Sequence, residues 1–513
     1  MIALTCAACI DPQAPRFPDA LTNQNDLDAA TRADVDVRVD AALSPDADRT
    51  TDADIVSEDA SPSVDAADEV ADTAIEDAAI EDAAIEDAAI EDAAIEDAAI
   101  ADAALEDATI EDAAFEEDAE APDSLYAGGQ GTPEDPYLIS TFEHLHNIRC
   151  HPNASFTLLN DITIPDGQPF VPIGAELAVT EDCRDTPFQG TINGENFVIC
   201  GLVIDGRQSE VPVGLFSRVN AGIIRNLSLS SVNVVAGAQP AGALIGEVIS
   251  PNQLETILQS ISVSGAVRSD DSAGGLVGRG SDVSIEGATF TGTVDGRGPV
   301  GGIAGRLSNA HLTEVQVISE RIQITELGDP SGRPAGGIVG ELRGSGGLRI
   351  FAVQVDLLRG QRFVGGAVGR WSSADPMTDG YAAGTLQTGG ATPEAAGGLV
   401  GHHLSPSGLS RVFSAMDMTN AGPRSSTGRI IGRYDGDLAL DNVYYQEDIL
   451  GAACVGANYI MPENCTAISN MGGYFNVPGN PPMSLWEHIR WGFEFDMLPT
   501  LTNTRPAPDQ RCP

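Results

Sequence analysis

The stretch Ser272–Gly287, SAGGLVGRGSDVSIEG, carries the phrase Ala-Gly-Gly-Leu-Val-Gly at 273–278. The chain repeats that phrase as AGALIG at 241–246, VGGIAG at 300–305, AGGIVG at 335–340, VGGAVG at 364–369 and AGGLVG at 396–401. Degenerate copies stand at both ends, PVGLFS at 212–217 and TGRIIG at 427–432. The sixth positions, from Ser217 to Gly432, are separated by 29, 32, 27, 35, 29, 32 and 31 residues. A period near 30 with irregular slack marks a repeat architecture. After each phrase come short β-like runs, such as VSIEGATF after the 273 copy and LSRVFSAMDMTN after the 396 copy. Three short strands per unit, Gly/Ser/Asp/Pro turns and no helix-length apolar pattern predict one coil of a parallel β-helix.

Within the phrase the fourth position is always aliphatic: Leu215, Leu244, Leu276, Ile303, Ile338, Ala367, Leu399 and Ile430. Stacked rung on rung, these residues predict an apolar ladder inside the coil. The flanking glycines predict a sharp corner and a close approach of neighbouring coils, where a Cβ would clash. Arg429 replaces the second glycine of the last copy and is expected to face outward or to border a cap. Seven steps of about 4.8 Å give the repeat body an axis of ~34 Å. Phosphate binding is the other use of glycine-rich text. A P-loop needs a lysine, which the chain lacks, and a dinucleotide fingerprint occurs once rather than eight times.

Composition divides the chain near residue 125. The 513 residues carry a net charge of −49; residues 1–125 contribute −33 and the remainder −16. None of the 56 glycines precedes Gly128. An acidic chain without lysine is a poor nucleic-acid or anionic-membrane ligand, because both need clustered basic groups. No run approaches the roughly 18 apolar residues of a spanning helix. Residues 11–125 include nine units close to Ile-Glu-Asp-Ala-Ala between Ile75 and Ala119, six of them perfect. A five-residue step advances an α-helix by about 140° beyond a full turn, so the isoleucines spiral and build no coiled-coil seam. Like charges at i, i+4, such as Asp77 and Glu81, oppose helix. A self-repelling, disordered acidic stalk is expected. The first ten residues are apolar and small but lack a basic region. They read either as the remainder of an export signal, with Cys9 or Cys6 as the lipidated cysteine, or as an ordinary N-terminus; the stalk favours export.

Other signals are local. Ser140 and Glu143 fit a capping box, with Phe142, Leu145 and Ile148 at helical spacing, so a short helix is expected over 141–149. The seven histidines, at 144, 146, 151, 311, 402, 403 and 488, never form His-Glu-x-x-His. No metal, catalytic or cofactor residue is therefore assigned. Asp270, Asp271, Asp295 and Arg297 fall in turns about one rung apart and read as solvated turn residues; the alternative is a carbohydrate-active β-helix enzyme of lyase or glycosidase type. Trp371, Tyr381, Tyr444 and Tyr445 offer an aromatic strip, although the two adjacent tyrosines read better as a cover for the end of the coil. The cysteines cluster outside the central coils. Disulfides Cys150–Cys183 and Cys454–Cys465 are expected at the two caps, and Cys200, in an apolar strand, as a buried thiol.

The phrase resembles the GLUG motif, which occurs in tandem in bacterial surface and adhesin-like proteins and in the non-catalytic region of IgA-specific metallopeptidases. GTPEDPYLIS at 131–140, FQGTINGENFVICGLVI at 188–204, LDNVYYQED at 440–448 and LPTL at 498–501 extend the resemblance over about 126–501. It implies a parallel β-solenoid displayed at the cell surface; it does not imply an enzyme. The expected organisation is a residual signal at 1–10, a stalk at 11–125, an N-terminal cap with the first coil at 126–211, the solenoid at 212–448 and a C-terminal cap at 449–513. The fold class is all-β, with about eight coils. The expected function is an exported, monomeric surface protein whose partner is a surface protein or a glycan, with no cofactor and no nucleic acid, and in contact with the membrane only through a lipid anchor.

Overall fold

The computed structural model describes residues 125–513 except 177, 181–182, 327–332, 390–394, 420–425, 448–452, 457–461, 470–472, 495–496, 503–511 and 513. The N-terminal stretch with Cys6 and Cys9, and the acidic repeats, lie outside the described residues.

The glycine-rich region is a parallel β-solenoid. Long strands at Ile223–Ala236, Thr256–Ser269, Val277–Gly296, Ala304–Ile324, Leu348–Gly360, Met377–Thr388, Leu409–Thr419 and Leu440–Gln446 succeed one another. Each lies parallel to the equivalent strand of the next turn. The opening residues of the phrase form a separate parallel sheet of seven short strands, from Ala241–Gly242 to Thr427–Gly428.

Every fourth-position residue from Leu215 to Ile430 is fully buried. Their backbones bond directly: Leu244 N–H donates to Leu276 O (3.1 Å), Leu276 to Ile303 (3.0 Å), Ile303 to Ile338 (2.9 Å) and Ile338 to Ala367 (2.8 Å). Ala367 donates to Leu399 and Leu399 to Ile430, both at 2.9 Å. The ladder then continues where the sequence reading stopped. Ile430 N–H donates to Cys454 O at 2.9 Å, and Ile431 pairs with Val455. GAACVG at 451–456 is a ninth copy with cysteine at the ladder position, and Cys454 is fully buried.

The phrase needs glycine because turns meet backbone to backbone. A Cβ on Gly275 would stand 2.0 Å from Gly302 O and 2.3 Å from the Phe290 ring. Arg429, at the same position of the eighth copy, does not face outward: it is buried, and burial lowers its pKa against the opposing pull of Asp417 and Tyr445. In its turn Tyr445 occupies the column that Phe290 fills further up.

A second column turns the long strands. Asn226, Ser260, Glu314, Ile350, Asp379, Arg411 and Asn442 occupy equivalent rungs with φ between 52° and 59°, and Gly287 adopts 67°. Left-handed residues are rare outside glycine, and a β-branched one is strained. Ile350 tolerates it because its side chain is buried under residues that return from the C-terminus.

The termini differ from expectation in detail. The helix spans Phe142–Asn147, followed by a 3-10 turn at Ile148–Cys150. Its N-cap is Thr141, whose side chain accepts from His144 N–H at 3.2 Å, while Ser140 bonds the His144 ring instead. Phe475, Met483, Trp486, Trp491 and Leu501 lie not over the end of the coil but on its flank, against Ile350, Ala352, Tyr381, Ala383 and Phe413. This strap reaches from Phe475 to Leu501.

The ladder predicts a ranking of substitutions. Leu276→Asp buries an unpaired carboxylate and should cost several kcal/mol. Gly275→Val should also destabilise strongly, because the clash is with backbone. Arg279→Ala, at a partly exposed ion pair, should cost about 1 kcal/mol or less. Thermal melts of the three variants check the order; a Leu276→Asp melt within two degrees of the parent would refute the ladder.

Candidate interaction surfaces

The residue following each of the first eight phrases is ionisable: Arg218, Glu247, Arg279, Arg306, Glu341, Arg370, His402 and Arg433. Register places all eight in one column, one per turn. Like charges opposed in adjacent strands repel, and opposite charges attract. The two glutamates are placed accordingly. Glu247 accepts from Arg279 Nε at 2.7 Å and from Arg218 Nε at 3.4 Å. Glu341, whose side chain is only 2% exposed, accepts from Arg306 Nε (3.0 Å), Arg343 Nη2 (2.6 Å) and Arg370 Nη1 (3.3 Å). His402 Nε2 lies 2.9 Å from Asp435 Oδ2, and Arg433 Nε donates to Asp435 Oδ1. The sequence reading missed this column, although its signal, an ionisable residue after every phrase, is plain in the text.

The strap covers a different face. Tyr381 stacks on Phe413 at 4.8 Å, Phe413 on Phe475 at 4.0 Å and Trp486 on Trp491 at 4.2 Å. Tyr381 Oη donates to Pro499 O (2.7 Å) and accepts from Gln354 Nε2 (2.8 Å). Burial pushes the Tyr381 hydroxyl pKa above its ordinary value. Trp486 Nε1 donates to Arg411 O at 2.8 Å, and Arg490 pairs with the buried Glu314 at 2.6 Å. The aromatic strip is therefore not an open sugar platform. Tyr381, Trp371 and Tyr445 are buried, and Tyr444 sits at the margin of the strap core.

Three disulfides hold the ends. Cys150–Cys183 and Cys454–Cys465 are bonded pairs. Cys200 is not a thiol: it is bonded to Cys512, 312 residues away, and so ties the C-terminus to the first coil. Closing so long a loop belongs at the upper end of the ~2–5 kcal/mol range of native disulfides.

The remaining candidates do not converge. Asp295 is held by Arg321 at 3.0 and 2.9 Å, and Arg297 by Asp270 (3.2 Å) and Glu326 (2.8 Å). These are ion pairs, not opposed carboxylates around a cleft. A cleft of about 510 Å³ between 165–172 and 201–213 is lined mainly by apolar side chains, including Phe170, Val203 and Val213. Among the described residues no group of three or more His, Cys, Asp or Glu could hold a metal ion. His403 is fully buried beside Trp371, 6.5 Å between ring centroids, with Ser407 Oγ 3.5 Å from Nε2. Burial, with a smaller contribution from the neighbouring His402, lowers its pKa to about 4.

No family model matches the chain. It is 36% identical over 137 residues to a candidate Gly-rich membrane protein of Evansella cellulosilytica, covering 25% of this chain and 15% of that one. It is 32% identical over 203 residues to halomucin of Haloquadratum walsbyi, covering 36% of this chain and 2% of that one. The chain thus matches only a small part of the length of either relative. Among solved structures, a candidate immunoglobulin A1 protease from Bacteroides ovatus aligns over 74% of this chain and 96% of its own, with a TM-score of 0.37 and 16% identity. A structure named IgA1 protease aligns over 60% and 21%, with a TM-score of 0.37 and 15% identity.

His403 generates a pH prediction. Between pH 6.5 and about 4 the unfolded chain takes up a proton that the folded chain refuses. This contribution is therefore complete above pH 6.5 and is lost on acidification. It amounts to about 2 kcal/mol between pH 7.5 and pH 5. His403→Gln should abolish that part of the loss. Urea unfolding of parent and variant at both pH values tests it; equal losses would exclude His403 as the source.

The strap predicts a second effect. Trp486→Ala should cost about 3–5 kcal/mol, as for other buried aromatics. Cys512→Ser should cost about 2–5 kcal/mol. Hydrogen exchange should show the loss of protection concentrated at Phe475–Leu501; protection there equal to the parent in both variants would rule out the strap.

Proposed function

We propose that this chain is an exported, non-catalytic surface protein whose solenoid serves adhesion or surface interaction. One observation carries the reading: disulfides lie at both ends of the solenoid, and the Cys200–Cys512 bond joins the C-terminus to the first coil. Such bonds form and persist in oxidising compartments and are rare where cytosolic reductants act. The resemblance of the repeats to the GLUG motif supports display at the surface. The name of the Evansella relative, a candidate membrane protein, agrees with it. The outer columns, held in register over eight turns, supply a surface of fixed spacing for a partner. The acidic residues 11–125 act as a stalk, and Cys9, or alternatively Cys6, carries the lipid.

The test is fractionation of a bacterium expressing the full chain, with protease shaving of intact cells and mass mapping of the cysteines. Shaving should release peptides from 126–513, and Cys150–Cys183, Cys200–Cys512 and Cys454–Cys465 should be found linked. Labelling with a fatty-acid analogue should be lost in Cys9→Ser or Cys6→Ser. A chain retained in the cytoplasmic fraction with free thiols at these six positions would overturn the reading.

A further inference from the structure

Three arginines share one carboxylate. Both oxygens of buried Glu341 are occupied, Oε2 by Arg306 and Oε1 by Arg343 and Arg370. One negative charge faces three positive ones, within a region whose net charge is −16. Pairing Glu341 alone would need fewer. Between 37% and 47% of each arginine side chain remains in solvent, although each guanidinium gives Glu341 only one hydrogen bond. Arg370 Nε is buried without a hydrogen-bond partner among the described atoms. The group is also held in place. The Arg370 and Arg362 guanidinium carbons both lie 5.8 Å from the Phe363 ring centroid, and the His402 ring stacks on Phe363 at 5.0 Å. Cation–π contact and a shared carboxylate restrict guanidinium motion before any ligand arrives, which lowers the entropic cost of binding.

Arg279 and Arg306 occupy successive rungs above Glu341, and Arg370 the rung below it. From Arg279 to Arg370 the donors extend over three rung steps, about 14 Å. Guanidinium forks match carboxylate and sulfate groups in a bidentate manner. From this geometry we propose that the face bearing Arg279, Arg306, Arg343 and Arg370 binds an anionic polysaccharide, whose carboxylate or sulfate groups meet successive arginines along the solenoid axis. The proposal rests on the surface-interaction reading above and names its ligand class. The rung spacing selects a chain with about one charge per sugar or fewer. Duplex DNA, at about one charge per 1.7 Å, is too dense for donors set a rung apart, and the acidic surroundings would repel it.

The test is calorimetry or biolayer interferometry on the full chain with four probes: polygalacturonate, dextran sulfate of low substitution with no more than about one sulfate per glucose, neutral dextran and duplex DNA. Binding is expected to polygalacturonate, to dextran sulfate or to both, weakening as salt rises; which of the two binds identifies the anion. Neutral dextran should not bind. Arg306→Gln and Arg370→Gln should each weaken binding about ten-fold, the loss of one charge-assisted contact. Either variant leaves Glu341 two arginine partners, so the fold should persist, and thermal melts check this. Arg349→Gln, which removes the same charge from an exposed pair with Glu487 beside the strap, should leave affinity unchanged. No binding to either anionic glycan, equal loss in Arg349→Gln and Arg306→Gln, or a preference for DNA would each overturn the proposal. A chain displayed at the surface that binds neither glycan defeats this inference alone. A cytoplasmic, reduced chain that still binds defeats the display reading alone.

Discussion

The structure depends on the contact between one turn's glycine phrase and the next. The turns approach so closely there that a Cβ on Gly275 would meet the Gly302 carbonyl at 2.0 Å. Side chains cannot separate the rungs, so backbone hydrogen bonds fix their spacing directly. Once the fourth-position residues bond in series from Leu244 to Cys454, the register of everything downstream follows. A slip by one residue would expose the aliphatic ladder and bury the charged column, because strand side chains alternate between faces. Glycine at the corner and aliphatic residues at its apex together give the repeat one register.

That register explains why charges outside the phrase are organised at all. Each turn delivers its seventh position to the same column, so neighbours in space are residues roughly 30 apart in sequence. Glutamate between arginines, as at Glu247 and Glu341, turns a column of repelling cations into a bonded one. Only Arg279 and Arg306 are adjacent like charges within it, and each has a glutamate on its other side. Buried Glu341 would be costly if unpaired. Its three arginines remove that cost while keeping part of their own surface in water.

Legibility in the sequence followed periodicity. The apolar ladder was readable because the same chemistry recurs at one position of a repeated phrase. The charged column was equally periodic but lies one residue outside the phrase, and its mixture of signs hides it from a search for like residues. Cys454 escaped as a ninth rung because alanines replace two glycines and a cysteine replaces the aliphatic residue. The strap was not readable. Phe475, Trp486 and Trp491 stand in or beside 3-10 turns without a repeating interval. Of their partners Tyr381 and Phe413, Tyr381 reads in the sequence as part of an open aromatic strip, because the chain that covers it arrives from beyond the last repeat. The Cys200–Cys512 bond has the same origin: a separation of 312 residues leaves no local trace.

The strap also gives the two outer surfaces different duties. The aromatic stripe of Tyr381 and Phe413 would be an exposed apolar patch on a rigid rod, which invites aggregation or an unintended partner. The chain covers it with its own C-terminal aromatics and fastens the covering at Glu314, Arg411 and, through Cys512, at Cys200. The arginine column receives no such cover among the described residues: its guanidiniums are tied to buried or half-buried carboxylates yet remain partly in water. A solenoid that hides its apolar face and leaves its charged one open presents charge at fixed spacing, which is what the proposed glycan recognition requires. The rigid stacking that sets the spacing is the same stacking that required the glycines.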